Sequence, residues 1–259
     1  MSTPNLIVFS DLDGTLLDHD TYSWDEAKPA LAALKERSIP LVLASSKTAA
    51  EMAPLRKALG FEHCPAIVEN GAGLLAAHTH EPQDGHTDYD NIRTALNALP
   101  AGLRAHFSGF GDMGVDGIIE TTGLPRDQAE RAARRAFSEP GLWSGNAAEH
   151  AEFESALATH GIKARSGGRF LTLSFGRTKA GQMRTICDTL FGDRPVTIIA
   201  LGDAPNDTEM LLAADRGFII SNPHAKPIQF PPDASTKHIE TIAETSPLGW
   251  NQAVLSVVL

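Results

Sequence analysis

Short, unbroken apolar runs alternate with longer helix-forming stretches at both ends of this chain. That alternation restricts the fold more than any other feature. NLIVFSD (5–11) has a continuous apolar run and reads as a strand buried on both faces, as in a parallel sheet. DEAKPALAALKERS (25–38) reads as a helix that tolerates Pro29 because it lies near the start. IPLVLAS (39–45) is a second buried strand, and KTAAEMAPLRKALG (47–60) a second helix with Gly60 as its stop. AIVENGAG (66–73) is a third strand that ends in a glycine-rich turn. This βαβαβ order predicts an α/β fold built on a doubly wound parallel sheet.

The rhythm returns late. KAGQMRTICDTLFG (179–192) and NDTEMLLAAD (206–215) read as helices, VTIIALGD (196–203) and GFIIS (217–221) as buried strands, and WNQAVLSVVL as a closing helix. The middle is different, with more Gly, His and Arg. Its helical pieces are 88–99, 127–138 and 148–160. Its strand candidates are LRAHFSG and the pair GIKARS/RFLTLSF, joined as a hairpin by Gly167-Gly168. Residues 81–175 therefore read as a smaller α+β domain inserted into a core made of 1–80 and 176–259.

Composition narrows the function. A net charge of −10 argues against nucleic acid or an anionic membrane as partner, but not against a small phosphorylated substrate, where local charge decides. Cys64 and Cys187 are far apart and in no CxxC, so neither a disulfide framework nor a thiolate zinc site is expected. MSTPNLIVFSD lacks the basic and apolar parts of a secretory signal, and no run approaches the ~18 apolar residues of a membrane span. The expected location is the cytoplasm.

Three strands of the expected sheet end in chemistry: Asp11-Leu12-Asp13, Ser45-Ser46-Lys47 and Gly202-Asp203. Ligands bind open α/β sheets at those ends. Strand alternation would turn Asp11 and Asp13 toward one ligand. Adjacent carboxylates repel unless a cation or proton lies between them, and Mg²⁺ is the natural cation for hard oxygen ligands shared with phosphate. A calcium loop fits poorly, because Gly14 follows Asp13 at once and Asp20 stands six residues beyond it, where a Glu is needed. A solvated turn loses force because two other strands end in matching chemistry.

DLDGT after the first strand, Ser45 closing the second, Lys179 opening a late helix and GDAPND after another strand resemble, in order, the four motifs of haloacid dehalogenase-type phosphatases. SSKTAAEM (45–52), ENGA (69–72), GGRF (167–170) and SEP (138–140) resemble, more narrowly, the mannosyl-3-phosphoglycerate phosphatase family, with the insert as a type C2 cap. Two departures stand out. The wider sugar-phosphatase branch more often has Thr-Gly-Arg where this chain has Ser45-Ser46-Lys47, and an Arg-Glu pair expected before SEP reads Arg135-Ala136-Phe137.

The resemblance implies Mg²⁺-dependent hydrolysis of a small phosphorylated sugar acid, releasing a glycerate glycoside of the compatible-solute kind. Asp11 would be the nucleophile and Asp13 the general acid and base. Ser45 and Lys179 would bind the phosphoryl group. Asp11, Asp203 and the Asp13 backbone carbonyl would hold the metal, with Asp207 supporting it from behind. Lys47 and Arg169 are substrate candidates, because Arg grips carboxylates bidentately. Ser46, Gly168 and Asn206 complete that set, with the Gly167-Gly168 pair able to bring backbone N–H groups to an anion.

A broad sugar-phosphate or sucrose-phosphate phosphatase is the nearest rival. A receiver-like module storing phosphate on Asp11 is the non-enzymatic one, disfavoured by Asp13 and by the long insert. GFGDMG (109–114) fits GxGxxG, but VDGIIETTG after it does not read as a helix, so no dinucleotide site is expected. His78 and His80 read as loop residues, and the sequon Asn206-Asp207-Thr208 has no role without secretion.

Overall fold

The structure is a computed structural model that describes residues 5–82, 86–167 and 169–259. Strand β1 (Asn5–Ser10) leads through a turn and a short 3₁₀ segment into helix α1 (Lys28–Glu36), then β2 (Leu41–Ala44) and α2 (Ala49–Leu59). Thr48 opens α2 with a capping box: its hydroxyl accepts from Glu51 N, and the Glu51 carboxylate accepts from Thr48 N. β3 (Ala66–Val68) stops earlier than the sequence suggests. Glu69 and Asn70 turn the chain at positive φ, and β4 (Gly73–Leu75) returns antiparallel to β3.

The insert follows. Helix α3 (Thr87–Ala98) and the short α4 (Ala101–Arg104) precede β5 (Phe107–Gly109), α5 (Phe110–Thr122) and α6 (Arg126–Ala132). Then come β6 (Ser138–Trp143), α7 (Ala147–Ala158), β7 (Lys163–Ser166) and β8 (Leu171–Ser174). These four strands form one antiparallel sheet in the order β5-β6-β8-β7. Its core is Ile92, Leu96, Phe107, Phe153, Leu157 and Leu173, with neighbours.

Three readings of this region are corrected. The helix expected over 127–138 ends at Ala132, and Ser138 begins a strand. Most of LRAHFSG is helical turn, and only its last residues are strand. VDGIIETTG lies within α5, which breaks at Gly114 and recovers because Ile118 is buried against Ala129 and Ala132. Tertiary packing there overrides the poor helix propensity of the glycines.

Helix α8 (Lys179–Phe191), β9 (Val196–Gly202), α9 (Thr208–Ala213), β10 (Arg216–Ser221), β11 (Ile239–Thr245) and α10 (Leu248–Val258) complete the chain. The large sheet runs β11-β10-β9-β1-β2-β3-β4, parallel except for the β4 edge. Alternation splits its side chains between two faces. Val8, Leu41, Leu43 and Leu201 meet α1, α2 and α10, whereas Ile7, Phe9, Val42 and Ala200 meet α8 and α9. Both faces are covered, which is why these strands are apolar throughout. The carboxyl ends of β1, β2 and β9 come together because these strands are neighbours running in one direction.

Candidate active site

β1 ends at Ser10, so strand alternation does not carry both Asp11 and Asp13. A tight turn does so instead: Thr15 N, Leu16 N and Leu17 N all donate to Leu12 O. The turn separates the two carboxylates. Asp11 Oδ1 accepts from Lys179 Nζ at 2.6 Å, whereas Asp13 Oδ2 accepts from Lys47 Nζ at 2.8 Å. The base of the turn is tied to the closing helix, since Trp250 Nε1 donates to Ser10 Oγ and Ser10 Oγ donates to Asp11 O.

Lys179 is the first residue of α8, where the helix dipole disfavours a cation. Its side chain runs to Asp11 and to Asp207 Oδ1, 2.7 Å away, and the ammonium is almost completely buried. Burial alone would lower its pKa, but the two carboxylates outweigh it and hold the pKa above the ordinary lysine value. Gly71 lets this helix start come close. Its φ is +92°, and a Cβ there would lie 2.2 Å from Lys179 N.

One carboxylate oxygen from each of Asp11, Asp203 and Asp207 lies within 4.8 Å of the others, and all three residues are buried. Burial raises Asp11 well above the usual carboxylate range, and Asp207 and Asp203 push the same way against Lys179. Burial and Asp207 raise Asp203 also, opposed by hydrogen bonds from Thr15 and Asn222. The three differ in what they have left to offer a metal. Asp207 gives Oδ1 to Lys179, and Oδ2 to the backbone N–H groups of Asp203 and Ala204. Asp203 takes one donor on each oxygen, Thr15 Oγ1 at 2.5 Å and Asn222 Nδ2 at 2.8 Å. Among the described residues Asp11 Oδ2 receives no hydrogen bond. A divalent cation therefore fits Asp11 and Asp203, with Asp207 holding the loop and the lysine in place.

Ser45 directly follows β2, with its N–H donating to Ile67 O and its carbonyl accepting from Asn70 N, and its buried hydroxyl accepts from Lys47 N at 3.3 Å. Ser46 is exposed. Asn206 is exposed and donates to Asn70 Oδ1 at 3.4 Å. Arg169 stands on the β7–β8 connection of the smaller sheet and donates to Thr121 O; among the described residues it makes no hydrogen bond or ion pair with the carboxylate cluster. Gly168 lies outside the described residues.

Thr15, Asn70 and Asn222 belong to the site; the first two lie within DLDGT and ENGA but are given no role there, and Asn222 lies outside all of the motifs. Asn222 directly follows β10, so the rule that strand ends carry function points to it. It passes so close to the turn that a Cβ on Gly14, at φ +80°, would meet its Nδ2 at 2.2 Å.

Residues 8–100 match the model of the haloacid dehalogenase-like hydrolases. A glucosyl-3-phosphoglycerate/mannosyl-3-phosphoglycerate phosphatase from Methanococcoides burtonii is 33% identical over 267 residues, covering 97% of each chain. Among solved structures, a phosphatase of the HAD superfamily from Bacteroides thetaiotaomicron superposes with a TM-score of 0.64 at 20% identity, over 100% of this chain and 97% of that one. The sucrose-phosphatase from Synechocystis does so at 0.62 and 12% identity, over 98% of both. These two likenesses concern the fold, a parallel core with a second, antiparallel sheet. The relative matched end to end makes the protein a phosphatase and sets aside the receiver-like reading. The chain belongs to the mannosyl-3-phosphoglycerate phosphatase family of haloacid dehalogenase-type phosphatases.

Proposed function

We propose that the protein hydrolyses mannosyl-3-phosphoglycerate or glucosyl-3-phosphoglycerate, with Mg²⁺, through an aspartyl-phosphate. The observation that carries the chemistry is Asp11, buried, with one oxygen on Lys179 and the other without a donor among the described residues. The carboxylate is aligned yet retains a lone pair for attack. The end-to-end relative supports the substrate class.

Asp11 attacks phosphorus, and the bond to the leaving glycerate oxygen breaks as Asp13 protonates that oxygen. Asp13 then takes a proton from water, whose oxygen attacks the aspartyl-phosphate and frees Asp11 and phosphate. Lys179 neutralises charge on Asp11 and on the phosphoryl oxygens, and the Ser45 hydroxyl donates to one of them. Mg²⁺, held by Asp11, Asp203 and the Asp13 carbonyl, would supply further charge neutralisation at the phosphoryl group. Lys47 donates to Asp13 Oδ2 and would exchange that carboxylate for the substrate's own. Residues 81–175 would act as a cap that brings Arg169 over the substrate and excludes water.

The test is phosphate release with Mg²⁺ from both glycosyl-phosphoglycerates, sucrose 6-phosphate and hexose phosphates, each repeated with EDTA. Metal-dependent turnover concentrated on the phosphoglycerate glycosides is expected. Turnover spread over the hexose phosphates would retire the substrate assignment and leave the chemistry.

A further inference from the structure

Residues 18–25 form a loop closed on its own hydrogen bonds. Asp18 Oδ1 accepts from Asp20 N, Thr21 N and Thr21 Oγ1, and Asp18 O accepts from Tyr22 N. Asp18 N donates to Ser23 O, and Ser23 N to Thr21 Oγ1. This web holds Tyr22 at φ +57°, a region that a residue with a bulky Cβ substituent enters only at a free-energy cost. Packing does not explain that cost. Trp24, two residues on, anchors the loop against the core, whereas Tyr22 is 43% exposed, among the most exposed large apolar side chains of the chain.

The ring stands beside the chemistry. Lys47 Nζ lies 5.2 Å from its centroid and 2.8 Å from Asp13 Oδ2. The carboxylate proposed to protonate the leaving oxygen, the cation proposed for the leaving group's carboxylate and an aromatic face are thus adjacent. A glycosyl-glycerate leaving group carries a carboxylate and a pyranose on neighbouring carbons. One suits Lys47, and the C–H face of the other suits an aromatic ring.

Resting on the function proposed above, we infer that Tyr22 is a specificity-determining residue against which the sugar ring of the leaving group packs. The loop holds strained backbone to keep that face presented before substrate arrives. Binding of this kind is shared by ground and transition states, so its loss raises KM more than it lowers kcat.

The test compares Tyr22→Ala, Tyr22→Phe and Tyr22→Gly with wild type on the better phosphoglycerate glycoside. Tyr22→Ala is expected to raise KM about tenfold with kcat within about twofold, and Tyr22→Phe to keep KM within about twofold. Product inhibition by inorganic phosphate, which has no ring to stack, should be unchanged. Tyr22→Gly should show the same KM rise with a Tm no lower than wild type, because glycine accepts positive φ. An unchanged KM in Tyr22→Ala overturns the inference, as does an equal loss of phosphate inhibition. A fall in Tm without a change in KM would make the tyrosine structural. Wild type active on hexose phosphates alone overturns the function proposed above, and Tyr22→Ala is then judged on that pyranose phosphate. Wild type active on neither class overturns both.

Discussion

Two buried ionic clusters join distant parts of this chain, and they are built in opposite ways. At the ends of β1 and β9, Asp11 and Asp207 share a single ammonium, Lys179, and Asp203 lies beside them with no cation of its own among the described residues. Beyond β3, a single carboxylate is surrounded by donors. Glu69 accepts from Ala136 N at 2.9 Å, Phe137 N at 3.2 Å and Ser138 Oγ at 2.7 Å. Its Oε2 also lies 3.3 Å from Arg135 Nε, in ion-pair contact without hydrogen-bond geometry. Arg135 donates in turn to Ser138 Oγ and Ser46 O. The second cluster is balanced in charge, and it fastens the start of β6 to the loop that carries Lys47. The first is left with excess negative charge. Burial and ion pairing occur in both; the imbalance is what marks a site built to receive a cation and a phosphoryl group.

Breaking each cluster should therefore have a different consequence. Asp11→Asn is expected to lower kcat at least ten-thousandfold, about 5 kcal/mol of transition-state stabilisation. Because it removes one of three repelling carboxylates, its Tm should equal or exceed that of wild type. Substantial residual turnover would remove Asp11 from the chemistry. Glu69→Ala should do the reverse and cost about 3–5 kcal/mol of stability in chemical denaturation, since it leaves Arg135 buried without its counter-ion. A loss below about 1 kcal/mol would mean that the balanced cluster is not holding the two parts together.

The unequal legibility of the two clusters has a physical basis. Asp11, Asp13, Ser45, Lys179, Asp203 and Asp207 could be picked out in the sequence because each stands beside a strand end or helix start that the alternating runs reveal, and because their order resembles the four motifs of the family. Glu69–Arg135 could not, since its partners lie 66 positions apart in an ordinary Glu and an ordinary Arg. Arg135-Ala136-Phe137 looked like a departure from the family pattern, yet its backbone N–H groups and guanidinium are what Glu69 binds. The parallel strands were legible because both of their faces are covered. β6, SEPGLW, was not, because it holds a Pro and a Gly, and edge strand β11 was not, because it is partly exposed and lacks a regular alternation. Asp13 and Asp11 were expected on one side of a strand, but the strand stops one residue too soon.

Metal binding sharpens the contrast at a smaller scale. Mg²⁺ that binds only the folded state raises stability by about 2.7 kcal/mol at a hundred times its Kd. Wild type should gain Tm with Mg²⁺ and lose the gain with EDTA, measured without substrate. Asp203→Asn should abolish the gain, while Glu69→Gln should retain it. A gain preserved in Asp203→Asn would place the cation elsewhere.

The smallest effect comes from a third arrangement, in which a partly exposed carboxylate accepts from two guanidinium groups, one of them shared with Glu139. In the smaller sheet's domain, Asp112 accepts from Arg93 at 2.6 Å, from Arg104 at 2.8 Å and from Gly109 N at 2.9 Å. Burial alone would raise its carboxyl, but these donors hold it down at about 2. Its folded pKa is thus below its unfolded value. The stability it adds is complete above the unfolded value of 3.8 and is lost as pH falls toward 2. Glu139, also on Arg93, is shifted upward by burial, so it favours the folded state as it protonates and opposes the trend at higher pH. The two contributions separate by difference. Wild type minus Asp112→Asn should show a loss of about 1 kcal/mol between roughly pH 4 and 2, reduced from the ideal by solvent screening. That loss should be absent when wild type is compared with Asp116→Asn, whose carboxylate is largely exposed. A flat difference curve would mean that this partly exposed pairing stabilises nothing, and that only the fully buried clusters carry weight.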